Sequence, residues 1–217
     1  MVQEPFNPLD KLQLGESIAR ELLSRDAASL EALTAGPQFP GAGVYAIYYR
    51  GEFPPYRLLL SADAVGRRPP PIYVGKAIPP GGRTGRLLPP EAVKSPALHG
   101  RLSIHARSIT DAVNLDLGDF SCRYLILDDI WIPLGETILI EAYQPLWNTK
   151  VSGFGNNATG GPRSRQKRSS WDTIHPGRPW AAALTPNKRS ADEIIAMLMS
   201  NVAIPEDPDA VQEVVDE

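Results

Sequence analysis

Gly43-Val44-Tyr45-Ala46-Ile47-Tyr48-Tyr49 and, further on, Pro71-Ile72-Tyr73-Val74-Gly75-Lys76 read as two β-strands, because β-branched and aromatic residues are bounded by Gly and Pro. Two-residue alternation puts Val44, Ala46 and Tyr48 on one face and Tyr45, Ile47 and Tyr49 on the other. A tyrosine from each strand can therefore project toward a shared face. Each has a glycine nearby, Gly43 before Tyr45 and Gly75 after Tyr73, where a missing side chain would let another backbone or a phosphate diester come close.

An ordinary hairpin with aromatic packing would read the same way, so neither tripeptide decides anything alone. In this order, however, Gly-Val-Tyr then Tyr-Val-Gly resembles the two-part signature of the GIY-YIG nuclease superfamily.

Upstream, residues 9–34 place Leu12, Ile18, Leu22, Leu23, Leu30 and Leu33 at a helical period with a break near Asp26, a scaffold helix pair without chemistry of its own. Between the strands, residues 50–70 are too long for a tight hairpin. After the second strand, 76–86 is glycine-rich and basic without the spacing of a nucleotide-binding loop. The spacing predicts a helix over 96–109 with Leu98, Leu102, Ala106 and Ile109 as its apolar stripe and Arg101 and His105 along one edge. On that wheel alone, an arginine snorkelling over the core beside a half-buried histidine fits equally.

A third strand is expected near Phe120–Leu127, carrying the sole cysteine, Cys122, as core. Pro133 then opens a helix to about Gln144. There Leu139, Ile140 and Tyr143 share a face, Glu136 falls within it and Glu141 projects away. A carboxylate in an apolar stripe needs a partner, a proton or a metal. Glu136 is thus the candidate acidic ligand. Residues 145–189 read as mostly irregular, and Ser190-Ala191-Asp192-Glu193 is a capping box for a closing helix.

The 217 residues suit one domain with elaborations, and 22 prolines and 18 glycines imply many loops. Neither a signal peptide nor an apolar run of about 20 residues is evident, so a soluble, cytoplasmic protein without membrane contact is expected. The net charge of −3 conceals an asymmetry. Residues 205–217 hold six acids and no base, leaving +3 on 1–204. Between 151 and 189, Arg163, Arg165, Lys167, Arg168, Arg178, Lys188 and Arg189 face Asp172 alone. That pattern suits a phosphate-facing surface followed by a solvated acidic tail.

Phosphodiester hydrolysis needs a base for the attacking water, cationic stabilisation of the phosphoryl oxygens and help for the leaving alkoxide. A tyrosine serves as base only where cations such as Lys76, Arg101 or a metal stabilise its phenolate. Arg101 offers a planar fork to phosphate. One carboxylate, Glu136, completed by water and substrate oxygens, suits one Mg²⁺ (or Mn²⁺) per active site.

The order Gly-Val-Tyr, Tyr-Val-Gly-Lys, Arg-x3-His, Glu136 and Pro-x-x-Asn148 resembles the full GIY-YIG set. More narrowly, Gly41–Tyr49, Tyr73–Ala77, Leu115-Asp116-Leu117, Asp119-Phe120, Pro145–Asn148, Gly153–Asn156 and Ile174–Arg178 are similar to the GIY-YIG type II restriction endonucleases that cut CCGCGG. The resemblance implies that Tyr45 activates the water, Tyr73 and His105 assist in proton handling and orientation, and Arg101 stabilises the pentavalent phosphate. Glu136 would bind the metal and Asn148 support the phosphate or the metal shell. For DNA reading, the 76–86 and 156–168 loops are expected, with Lys76, Arg83, Arg86, Asn156, Arg163, Arg165, Lys167 and Arg168, because arginine pairs bidentately with guanine.

The expected fold is α+β, a small three-stranded antiparallel sheet flanked by helices. An N-terminal helical scaffold (1–39), a catalytic core (40–150) with its 50–70 insertion, a basic loop-rich extension (151–204) and a disordered acidic tail (205–217) would make up the chain. The expected activity is site-specific cleavage of double-stranded DNA by a homodimer, with a cognate methyltransferase as a genetic rather than physical partner. A homing or repair endonuclease of the same superfamily, or a non-catalytic DNA-binding protein on the same scaffold, are the alternatives.

Overall fold

The computed structural model describes residues 11–57, 69–79, 81, 95–157 and 166–200. Its architecture is α+β. A four-stranded antiparallel sheet runs in the order β1-β4-β2-β3, with β1 Ala28–Ser29, β2 Gly43–Tyr49, β3 Tyr73–Ala77 and β4 Phe120–Ile126. The three longer strands match the expected sheet. The two-residue β1, which lies where the sequence pattern suggests only a helix break, is an addition at the edge.

All seven residues of β2 are buried, since the sheet is covered on both faces. On one face Val44, Ala46, Tyr48 and Val74 pack with Ile18 and Leu22 of α1 (Lys11–Ser24) and Ile132 and Leu139. On the other, Tyr45, Ile47, Tyr49 and Tyr73 meet Leu98, Leu102, Ala106 and Ile109, together with Trp147, Phe154 and Trp171. Each fully buried large apolar side chain contributes about 1.5–3 kcal/mol. Central β2 is therefore the strand whose loss would dismantle both layers. Cys122 lies in the core, where burial pushes its thiol up to about 12.

The helices that cover the two faces form as their patterns predict. After α2 (Leu30–Ala35), α3 spans Ala97–Asp111 and buries its expected stripe, and α4 spans Ile132–Tyr143 with proline in its first turn. Helices α2 and α3 lie over the second face and α4 beside α1 over the first. Beyond them the chain is less irregular than expected, with short helices α5 (Leu146–Thr149), α6 (Ser170–Ile174) and α7 (Pro179–Ala182). The last helix, α8 (Ala191–Ser200), begins at the expected capping box: Ser190 N donates to Glu193 Oε2 (2.7 Å) and Glu193 N to Ser190 Oγ (3.2 Å). Among the described residues no helix is long and apolar enough to cross a membrane. Most of the 50–70 insertion and the acidic tail lie outside the described residues.

The two glycines differ in purpose. A Cβ on Gly43 would run into the Leu125 carbonyl of β4, so this position admits a neighbouring backbone. At Gly75 the space is taken by Tyr45, its partner across the β2–β3 ladder, whose ring and hydroxyl a Cβ would overlap. Gly75 therefore seats a catalytic candidate rather than a phosphate diester.

Candidate active site

Because Tyr45 lies across Gly75, its hydroxyl reaches over the edge of the sheet to α3. There it makes a 2.6 Å hydrogen bond with His105 Nε2. The Tyr45 and Tyr73 rings are 6.3 Å apart, and His105 sits edge-on to Tyr73 at 5.1 Å and stacks on Phe154 at 4.5 Å. His105 is fully buried and its Nδ1 has no partner. A proton on Nδ1 would be an orphaned buried donor, which favours the tautomer in which Nε2–H donates to the Tyr45 oxygen.

One helical turn before His105, Arg101 is partly exposed. Its Nη2 donates to the Gly155 carbonyl (2.9 Å) and its Nη1 to Asn157 Oδ1 (3.2 Å), both on the turn at 153–157. Across from it, Glu136 of α4 accepts from Lys76 Nζ of β3 at 2.5 Å, with 20% of the Glu136 side chain exposed. The carboxylate within an apolar stripe is thus partnered. Tyr73, Lys76, Arg101, Glu136, Asn156 and Asn157 line one open cleft of about 720 Å³. Tyr73 meets this cleft. Tyr45 lies one layer deeper, with no exposed surface.

Burial first, and then the neighbouring Tyr73, raises the Tyr45 phenol well above its ordinary value, while Arg101 opposes the shift. Tyr73 is raised by burial and lowered again by Arg101, with Glu136 opposing. His105 is driven well below 6.5, chiefly by burial and then by Arg101, so it stays neutral. His175 behaves alike: its Nε2 shares a hydrogen bond with Tyr56 OH (2.5 Å), its Nδ1 another with Asn114 Oδ1 (2.8 Å), and burial lowers it to about 3.

These two neutral histidines make stability fall with acid. Below about pH 6.5 the unfolded chain binds protons that the folded chain refuses, so stability present above that pH is lost toward about pH 3 for His175. Each histidine contributes up to about 1.4 kcal/mol per pH unit within its window. Denaturant unfolding at pH 7.5, 6 and 5 should show stability dropping by a few kcal/mol, with a shallower dependence in His175→Gln. A flat profile in the parent protein would contradict it.

Not every expected residue reaches the cleft. Asn148 spends its amide on the free edge of β3: Val74 N donates to Asn148 Oδ1 and Asn148 Nδ2 to the Val74 carbonyl, both at 2.8 Å. It grips the strand between Tyr73 and Gly75, because one side-chain amide matches the donor and acceptor of an unpaired strand residue. Arg83, Arg86, Arg163 and Arg165 lie outside the described residues. Asn156 is exposed at the cleft, Lys167 is exposed, and Arg168 donates to the Ala181 and Ala182 carbonyls at the end of α7.

Arg178 corrects the expected basic surface. It is 2% exposed and pairs with Asp172, Nε to Oδ1 at 2.6 Å, between the rings of Trp171 and Trp180. Breaking such a buried pair costs about 3–5 kcal/mol. A basic residue in a basic run reads as surface; the nearby Asp172 and the flanking tryptophans were the available signal. Phe154 and His175 fall within stretches that carry the resemblance, Gly153–Asn156 and Ile174–Arg178, but neither had a role there, and their partners Tyr56 and Asn114 had no signal beyond their residue types.

The donor set suits a hard divalent cation. Glu136 already stabilises a cation, the Lys76 ammonium, at the edge of an open polar cleft. Among the described residues no three acidic, His or Cys side chains gather as a cage, so such an ion would draw its other ligands from water and substrate oxygens.

A family model described as the Eco29kI GIY-YIG domain matches residues 37–202, most of the chain. No curated protein matches closely enough to stand as a named relative.

Proposed function

Since the chain belongs to the family of the Eco29kI GIY-YIG domain and is a restriction-type nuclease, we propose that it cuts double-stranded DNA at a GC-only palindrome such as CCGCGG. The supporting observation is the cleft in which Tyr73, Arg101, Lys76 and Glu136 meet, with Tyr45 and His105 directly behind. A palindromic site and one active site per subunit call for a homodimer, each subunit cutting one strand. A cognate methyltransferase protects the host, and both act in the cytoplasm.

The attacking water gives its proton to the Tyr45–Tyr73 pair, which shares one negative charge. His105 Nε2–H donates to Tyr45, Tyr45 O–H donates toward Tyr73, and the chain polarises toward the phenol at the cleft. Burial, the neighbouring phenol and the Glu136 carboxylate oppose this phenolate, so its stabilisation falls to Arg101 and to the cation that Glu136 would hold. Neutral His105 orients Tyr45 and does not store the proton. Arg101 turns its fork to the phosphoryl oxygens, exchanging the Asn157 contact for the diester.

Glu136 would hold one Mg²⁺ (or Mn²⁺) per subunit, releasing Lys76 to the DNA backbone. The ion, when bound, polarises the phosphate and stabilises the leaving oxygen. Asn148 keeps β3, and with it Tyr73, in register.

Digestion of plasmid DNA of known sequence in Mg²⁺ should yield discrete fragments whose ends map to CCGCGG. Smearing, or no cutting across many sequences, would defeat the proposed specificity.

A further inference from the structure

Arg178 does not itself line the cleft, yet two of its nitrogens bond the 153–157 turn that does. Besides Nε to Asp172, Nη1 donates to the carbonyls of Phe154 (3.1 Å) and Asn156 (3.2 Å), and Nη2 to that of Gly153 (3.0 Å). The same turn meets Arg101 from its other side, through the Gly155 carbonyl and Asn157 Oδ1, and lays Phe154 flat on His105. The turn is therefore gripped between two guanidinium groups, one buried and one at the cleft.

We propose that Arg178 is a positioning residue for DNA cleavage, shaping the Gly153–Asn157 turn so that Arg101 and His105 stand in register with the scissile phosphate. The inference rests on the reading of Arg101 and His105 given above. Arg178 is itself held rigidly. Trp171 and Trp180 sandwich its guanidinium at 4.5 and 4.7 Å, and Asp172 takes a second bond from Ser169 Oγ at 2.6 Å. The segment leading to it is tied to the end of α3, the helix that carries Arg101 and His105: Val113 N donates to the Pro176 carbonyl (2.9 Å) and Asn114 Nδ2 to that of Ile174 (3.0 Å).

A guanidinium is needed because three carbonyls and a carboxylate lie around one planar fork. Lysine keeps the charge and presents only a compact ammonium with three donors. The turn would then relax around Phe154 and Asn156, and displacement of a reacting group by about 1 Å costs about 10²-fold in rate.

The test compares Arg178→Lys, Arg101→Lys, the double variant and Trp180→Leu. Single-turnover cleavage is measured on a mapped site, and DNA affinity without divalent ions. Arg178→Lys should cut about 10²-fold more slowly with affinity within about 3-fold of the parent. The double variant should cut no more than about 3-fold slower than Arg101→Lys alone, since both changes act on one arrangement. A loss of general stability would instead add to the Arg101 effect. Trp180→Leu, which loosens one side of the sandwich, should cut about 10-fold more slowly while unfolding near the parental temperature. If Arg178→Lys does not fold, Trp180→Leu decides alone, and unchanged cleavage by it overturns the proposal. Additive losses, or an Arg178→Lys protein cutting at the parental rate, overturn it equally. Parental cleavage by Arg101→Lys would instead strike the reading of the cleft itself.

Discussion

Glu136→Gln is expected to slow DNA cleavage by about 10³-fold or more while leaving DNA affinity in the absence of metal unchanged or slightly higher. Glutamine keeps the size of the side chain within the α4 stripe, so packing against the sheet survives. What disappears is the negative charge that stabilises a cation in the cleft, Lys76 in this structure. An ion on the phosphoryl oxygens supplies several kcal/mol of transition-state stabilisation, and each 1.4 kcal/mol or so is tenfold in rate. Substrate binding follows a different balance. A carboxylate beside a phosphate repels it, and the substitution removes that repulsion while freeing Lys76 for the backbone. Single-turnover rates and fluorescence anisotropy on the same duplex separate the two effects. Parental cleavage would remove Glu136 as the metal ligand, and a parallel collapse of affinity would make it a folding residue.

The contrast between Glu136 and Arg178 shows what a sequence exposes. Glu136 stands out because helical periodicity puts a charge where an apolar residue belongs, a violation visible within one turn. The three main strands and the α3 and α4 stripes are legible for the same reason, since each depends on neighbours two to four positions away. Arg178 obeys the local pattern of a basic run and departs from it only in three dimensions, where Asp172 and three carbonyls of a turn over 20 residues upstream close around it. Asn148 is an intermediate case. Its residue type and place after the α4 helix mark it, but only the free edge of β3 reveals that the amide completes a strand. The depth of Tyr45 is likewise a product of register: its pairing with Gly75 lays the ring across the sheet edge and leaves Tyr73 at the cleft.

From that layering follows an expected result for the two tyrosines. Tyr45→Phe and Tyr73→Phe should each slow cleavage by about 10²–10⁴-fold, the usual worth of a positioned proton-transfer group, and the double variant should be no slower than the worse single one. Phenylalanine at 73 removes the phenol that meets the cleft. At 45 it removes the link between that phenol and His105, leaving Nε2 as well as Nδ1 of a buried imidazole without a partner. Either change breaks one donor chain, and residues acting as a unit do not contribute independently. The pH dependence of the single-turnover rate adds a sign. Burial holds both phenols above their ordinary value, so the parental rate should climb with pH through the neutral and mildly alkaline range as the shared phenolate becomes accessible. Both variants should lose that climb. Additive losses would mean that Tyr45 and Tyr73 act on separate steps, and a pH-independent parental rate would remove the phenol pair as the base.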